Sequence, residues 1–215
     1  GSAMFSCRWV FTADGDGDHW FGRHGVNHRW LPPAVYGPEC VKGRPCQEYQ
    51  SDVAFVGNTD YGHKEHAPDR HAMLDALRSR FRDRVAFWPK PGVPGPWGLA
   101  YNDLLSSTKV VVGDAWQGAF RYHSNRVWEC VGRGGFMVHP AVPGLVELLP
   151  EGMGVSYFPP GDWDAMCDLI HWWVDHDTQR AEAVERGQAY VAANHTYANR
   201  MQVMLDVMRD EGAFG

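Results

Sequence analysis

The chain has 215 residues, 44% of them hydrophobic and 21% charged, with a formal net charge of −6 and a pI near 6.0. This is an ordinary globular composition, with material for one well-buried α/β core or two very small domains. It excludes an extended nucleic-acid surface, which needs a basic stripe to neutralise phosphates, and no apolar run approaches the roughly 18 to 20 residues that cross a bilayer.

A local site for one pyrophosphate stays open, because it needs only one or two cations and some backbone N–H groups. Gly1-Ser2-Ala3 ahead of Met4 reads as a protease-cleavage scar. No charged-then-apolar leader follows, so a cytoplasmic protein is expected. The cysteines are odd in number and none has zinc-knuckle spacing, so no metal site is expected. Cys130 and Cys167 read as small buried thiols, and a Cys40–Cys46 disulfide is disfavoured in a reducing compartment.

In chain order, Val10-Phe11-Thr12 is a short strand, followed by the acidic run Asp14-Gly15-Asp16-Gly17-Asp18. Trp30 to Val35 is extended, since each proline disfavours helix in the residue before it. Tyr36 to Gln50, rich in Pro, Gly, Cys and charge, reads as a linker. From Ser51 the rhythm changes. Asp52–Gly57 is a buried strand ending in glycine, and apolar residues at 73, 74, 77 and 81 predict a helix over 70–81. A strand over 84–89, a Pro/Gly-rich loop, a helix around 101–107 and a strand over 109–114 follow. The last of these is apolar enough for burial on both faces.

Further on, the pattern gives a helix over 124–131, a strand over 135–138, a short helix over 145–149 and a strand over 154–158. Asp162 caps a helix that reaches about Val174. Helices near 178–193 and 197–209 close the chain, the last with Tyr197, Met201, Met204, Leu205 and Met208 on one face. That face reads most simply as core packing. Strands alternating with helices predict right-handed βαβ crossovers and an α/β Rossmann-like parallel sheet of about five strands flanked by helices. Such a sheet binds ligands beyond the carboxyl ends of its strands, where the strand order reverses.

The densest chemistry lies in Arg121-Tyr122-His123-Ser124-Asn125-Arg126-Val127-Trp128-Glu129, between the third strand of that sheet and a helix. Ser124 would cap the helix, whose free N–H groups favour an anion. Arg126 offers a planar, permanently charged fork to a pyrophosphate, and Glu129 an acceptor for ribose hydroxyls. The competing reading is a capped helix with an Arg126–Glu129 i,i+3 ion pair. From spacing alone the two are even.

Ser124-Asn125-Arg126-Val127-Trp128-Glu129-Cys130-Val131-Gly132-Arg133-Gly134-Gly135 resembles the S-x-R-x-x-E-x-x-A/G-x-G-G/A signature of the spore-maturation (CgeB-like) glycosyltransferases, of the GT-B superfamily. The Asp52–Asn58 strand, the Asn102–Asp114 block, Pro143-Gly144-Leu145 and the closing His195-Thr196-Tyr197-Ala198-Asn199-Arg200 are also similar to that family. The resemblance implies a GT-B C-terminal domain over 51–215 that binds a nucleoside-diphosphate sugar as substrate, with no separate cofactor. It would place Gly57 and Asn58 by the phosphates and sugar, Arg126 at the diphosphate, Glu129 at the ribose and Trp88-Pro89-Lys90 near the nucleobase, with Ser124 and Asn125 in the donor site and His123 beside it, either touching the donor or serving as a loop residue. Read without it, 88–90 are only a strand end and a turn.

Residues 4–50 then look like a remnant of the acceptor domain plus a linker. The missing part would come from a homo-oligomer or a partner chain, and the acceptor is not identified. His19 is the acid/base candidate of this region, because histidine is readily poised near neutral pH. Asp14, Asp16 and Asp18 read as a solvated turn: a calcium loop would need glycine where His19 stands and glutamate where Gly25 stands. His19, His24 and His28 cluster in sequence, but His24 and His28 would be neighbours only on a helix, which the nearby glycines and prolines argue against, so no zinc site is expected there. His63 and His66 fall in the loop after the Asp52–Gly57 strand, on the ligand side of the sheet.

Overall fold

The computed structural model describes residues 6–15, 17–59, 68–115 and 120–211. The chain opens with β1 (Trp9–Thr12), α1 (Gly17–Gly22) and β2 (Asn27–Trp30), the two strands pairing in parallel across the helix. The six-residue α1 is an addition to the sequence reading, which assigns no helix ahead of residue 70 and takes the acidic run through Asp18 as a solvated turn. An extended segment and two 3-10 turns, Gly37–Glu39 and Gln47–Tyr49, lead into the main sheet.

That sheet has five parallel strands in the order β4 (Val85–Trp88), β3 (Ser51–Val56), β5 (Thr108–Val112), β6 (Met137–Pro140) and β7 (Val155–Phe158). The helices are α2 (Pro68–Phe81), α3 (Leu99–Ser107), α4 (Arg126–Gly132), α5 (Leu145–Leu148), α6 (Trp163–Asp175), α7 (Asp177–Asn194) and α8 (Tyr197–Asp210). The expected α/β fold is therefore the observed one.

Strand periodicity divides the core in two. Val53 and Phe55 of β3 and Val110 and Val112 of β5 pack with Met73, Leu74, Leu77 and Phe81 of α2 and Ile170 of α6. Val111 points the other way, to Leu104 and Leu105 of α3, Trp128 and Val131 of α4 and Val191 of α7. Both faces of the sheet are thus covered, which is why β5 reads as an unbroken apolar run. Burying one such side chain stabilises by about 1.5–3 kcal/mol.

The ends of elements follow local chemistry. Asp162 accepts from the Ala165 N–H at 2.9 Å, and Thr196 with Asn199 forms a capping box at the start of α8. β6 begins two residues later than expected, because Gly134 at φ 86° makes a turn there and Gly135 packs too closely on Leu105 and Cys130 for a side chain. Cys40 and Cys46 are free thiols, and Cys130 and Cys167 are buried.

The final helix departs from the core-packing expectation. Tyr197, Met201, Leu205 and Met208 are all exposed, whereas Val207 is buried. Its first turn is nonetheless fixed. The Val35 N–H donates to the His195 carbonyl at 3.1 Å and the Tyr197 N–H to the Val35 carbonyl at 3.0 Å. Arg200 donates to the carbonyls of Pro32 (2.9 Å) and Pro33 (3.4 Å). The His-Thr-Tyr-x-x-Arg motif is thus a clasp between the segment after β2 and the start of α8.

Candidate nucleotide site

Strand order reverses at β3, whose neighbours are β4 on one side and β5 on the other, so the crevice opens where the carboxyl ends of β3 and β5 diverge. Three segments meet there: Val56-Gly57-Asn58 after β3, Gly113-Asp114 after β5, and the approach to α4. The helix begins at Arg126 with Asn125 as its N-cap residue, one position later than expected. Ser124 keeps a capping role, its Oγ accepting from the Arg126 N–H at 3.3 Å.

Arg126 turns into the crevice, where each of its three guanidinium nitrogens donates one hydrogen bond. Nη1 donates to the Val56 carbonyl (2.8 Å), Nε to Ser124 Oγ (3.2 Å) and Nη2 to Asp114 Oδ1 (3.1 Å). The second Asp114 oxygen accepts from Arg70 Nε, in the first turn of α2. One carboxylate therefore bridges two guanidiniums, both 6.0 Å from the Phe55 ring centroid. Gly57 makes room for this: a Cβ there would run into Arg126 Nη1 and come within 3.2 Å of the Phe55 ring. The close approach that glycine permits is to an arginine of the same chain.

The cluster itself lines a cavity of about 10 Å³, with Asp114, Ser124 and Arg126 joined by Tyr101, Gly113 and His139 among others. That is room for a single water. His139 is fully buried, and its Nδ1 faces the Pro140 carbonyl at 2.8 Å. Burial pushes its pKa down to about 4, so the ring is neutral and Nδ1 carries the proton.

Glu129 lies one turn along α4. The i,i+3 pair with Arg126 does not form. Glu129 instead lies 3.6 Å from Arg133 Nη2, an i,i+4 pair. Burial raises the Glu129 pKa, and Arg133 opposes it. Arg133 is almost wholly buried, paired with Glu39 and donating to the Gly98 carbonyl (3.1 Å) and Asn102 Oδ1 (3.3 Å). It ties the 36–50 segment, the start of α3 and the end of α4 together.

Other sequence candidates fall in different settings. The Trp88 side chain is 1% exposed and packs edge-on against Tyr49 (5.1 Å between centroids), so its ring is core. Pro89 and Lys90 are exposed at the carboxyl end of β4, with Lys90 Nζ 4.4 Å from the Trp88 ring centroid. Asn58 lies at the crevice rim, its carbonyl accepting from Arg70 Nη1 at 3.4 Å.

His123 is buried and accepts from the Trp128 indole N–H at 3.1 Å, and burial depresses its pKa to about 3. A neutral ring locked on Trp128 is a packing group rather than a phosphate contact. His19 is exposed on α1, and the histidine with a buried side chain in that region is His28, between Asp18 (2.6 Å) and Thr12 (2.7 Å). Asp16, His63 and His66 lie outside the described residues. Among the described residues no group of three His, Cys, Asp or Glu is arranged to hold a metal, and no helix is long and apolar enough to cross a membrane.

Arg70 and Asp114 were not singled out from the sequence. The signal was present: Arg70 opens the helix that follows β3 and Asp114 lies in the turn beyond β5, both on the ligand side of a doubly wound sheet. Arg133 and His139 give no such signal, because their partners are remote in the chain.

The fold has clear counterparts. Sucrose-phosphate synthase from Thermosynechococcus elongatus superposes with a TM-score of 0.67 at 15% identity, over 99% of this chain and 60% of that one. Anabaena HepE, solved in complex with UDP-glucose, gives 0.68 at 12% over 95% and 64%. A trehalose-6-phosphate synthase from Burkholderia multivorans gives 0.60 at 14% over 99% and 61%. The chain thus spans somewhat less than two thirds of the length of these structures, and its sheet matches the C-terminal Rossmann-like half of GT-B glycosyltransferases. No curated protein matches the chain by sequence. The profile of one family does match, over residues 66–206. With the crevice, the two arginines and the acidic residue on α4 all inside or bordering that span, the chain belongs to the glycosyl transferase-like family.

Proposed function

We propose that this chain binds a nucleoside-diphosphate sugar across the carboxyl ends of β3 and β5 and supplies the donor half of a glycosyl transfer. The observation that carries the reading is the convergence of Arg70 and Arg126 on one crevice, with Glu129 one helical turn further on. Two guanidiniums and the start of a helix stabilise the negative charge that grows on a departing diphosphate. Glu129, held near Arg133, is the acceptor for ribose hydroxyls, and Pro89-Lys90 is the edge nearest the base. The motif likeness to the spore-maturation glycosyltransferases and the UDP-glucose complex of HepE support this assignment. His19 is the acid/base candidate on the acceptor side, with the 4–50 region as the remnant of an acceptor domain.

The test is a calorimetric titration of UDP, GDP, ADP and dTDP into the wild type and Arg126→Ala. Saturable binding of one nucleotide, weakened at least about tenfold in the variant, supports the reading. Binding of none by the wild type sinks it. Turnover with a glucosyl donor, lowered in His19→Gln, tests the acid/base role separately.

A second reading is a nucleotide-sugar-binding module completed by another chain. It draws on the exposed Tyr197, Met201, Leu205 and Met208 of α8 and on the share of the GT-B structures that this chain spans. Nucleotide binding without transfer or donor hydrolysis by the purified chain favours it.

A further inference from the structure

We infer that Asp114 is an internal stand-in for the diphosphate, which the ligand displaces from Arg70 and Arg126 on binding; the inference rests on the donor-site reading above. Its two oxygens are taken one by each arginine, Oδ2 by Arg70 and Oδ1 by Arg126. That is the bridging arrangement a phosphate makes between two guanidiniums. Three of the five Arg126 N–H donors are taken, Nε by Ser124, one on Nη1 by Val56 and one on Nη2 by Asp114. A phosphate that takes the N–H groups now held by the carboxylate, one from Arg70 and one from Arg126, replaces it.

Of the three acceptors, the Val56 carbonyl is backbone at the end of β3, and Ser124 is fixed beside α4. Asp114 alone is an anion on a side chain that can rotate away. The carboxylate is buried with the arginines: side-chain exposures are 12% for Asp114, 14% for Arg70 and 28% for Arg126. Asp114, Ser124 and Arg126 all line the 10 Å³ cavity, which holds no more than a water. An anion entering beside an undisplaced carboxylate would also meet its charge at close range, weakly screened. Asp114 therefore keeps the two arginines oriented and lowers the affinity of the site for anions. It is a positioning residue, and the bound diphosphate inherits its hydrogen bonds.

The experiment compares the wild type, Asp114→Asn and Asp114→Glu in calorimetric titrations with inorganic pyrophosphate and the four nucleoside diphosphates. Circular dichroism checks the fold, and Asp114→Ser replaces the Asn variant if that one does not fold. The expected result is a gain of about tenfold or more in pyrophosphate affinity for Asp114→Asn and none for Asp114→Glu. A residue with only a structural role would give a loss. Equal or weaker binding by Asp114→Asn overturns the inference, and if the wild type binds a nucleotide the donor site survives that result. Gain by the Asn variant alone, with a silent wild type, supports the displacement. No binding by either protein overturns both readings.

Discussion

The guanidinium of Arg126 rests in the space that a side chain at Gly57 would fill. A glycine ending the first strand of a doubly wound sheet ordinarily lets the backbone approach a bound phosphate. In this chain it lets one loop of the crevice receive an arginine from another.

Gly57→Ala should therefore act on the site more than on the fold. The added methyl group meets the mobile end of Arg126 and the Phe55 ring, and costs the Nη1–Val56 hydrogen bond. A stability loss of about 1–2 kcal/mol is expected, with nucleotide affinity down about tenfold. Urea unfolding alongside calorimetry checks the pair, and unchanged affinity would separate Gly57 from the site.

Arg133→Ala should be among the more damaging single changes. It leaves Glu39 and Glu129 near one another without their shared cation and strips Asn102 Oδ1 of its donor. Both carboxylates keep partial access to water, which moderates the cost to about 2–4 kcal/mol. The unfolding midpoint in urea measures it. Arg133→Lys should recover only part, because a single ammonium cannot span Gly98, Asn102 and Glu39 together.

Stability should fall on mild acidification. His123 is pushed down to about 3, and His139 and His195 to about 4, in each case chiefly by burial. In the unfolded chain histidine titrates near 6.5, so between that pH and about 4 the unfolded state binds more protons. The stabilisation is complete above pH 6.5 and is lost progressively below it, each histidine adding a slope of up to about 1.4 kcal/mol per pH unit. Denaturant midpoints at pH 7.5, 6 and 5 test this. His195→Gln should flatten the profile, and a midpoint that does not move would contradict neutral burial.

Thr196→Ala removes one half of the capping box with Asn199 and should cost about 1 kcal/mol. The loss should concentrate in α8, where amide exchange ought to quicken while the strands of the main sheet keep their protection. Uniform loss of protection would mean that α8 and the sheet unfold as one unit.

The sheet could be read from the sequence because its signals are local. Apolar runs end in turns, Met73 through Phe81 keep helical spacing, and Asp162 announces a helix start. The short α1 escaped, since six residues between glycines carry too little periodicity to count. The site was half legible. Arg126 and Glu129 were visible as chemistry, but the partners that orient them were not: Arg70 lies 44 residues from Asp114, and Glu39 some ninety residues before Arg133. Trp88 and His123 show the converse, residue types suited to a ligand that the fold spends on packing. The α8 stripe has core periodicity in a helix that turns it to solvent, and periodicity alone does not say which neighbour a face meets.

The clasp between Pro32–Val35 and His195–Arg200 makes the chain enter and leave the main sheet at a single point. Everything between Val35 and Thr196 is a closed loop whose ends are stitched together by backbone hydrogen bonds. A unit built this way approaches a transferable cassette: the five strands of its sheet pair only with one another. Besides the clasp, the outside chain reaches it through Gly15 at Phe120 and Trp30 at Arg121 and His123, contacts that a splice into another protein would give up.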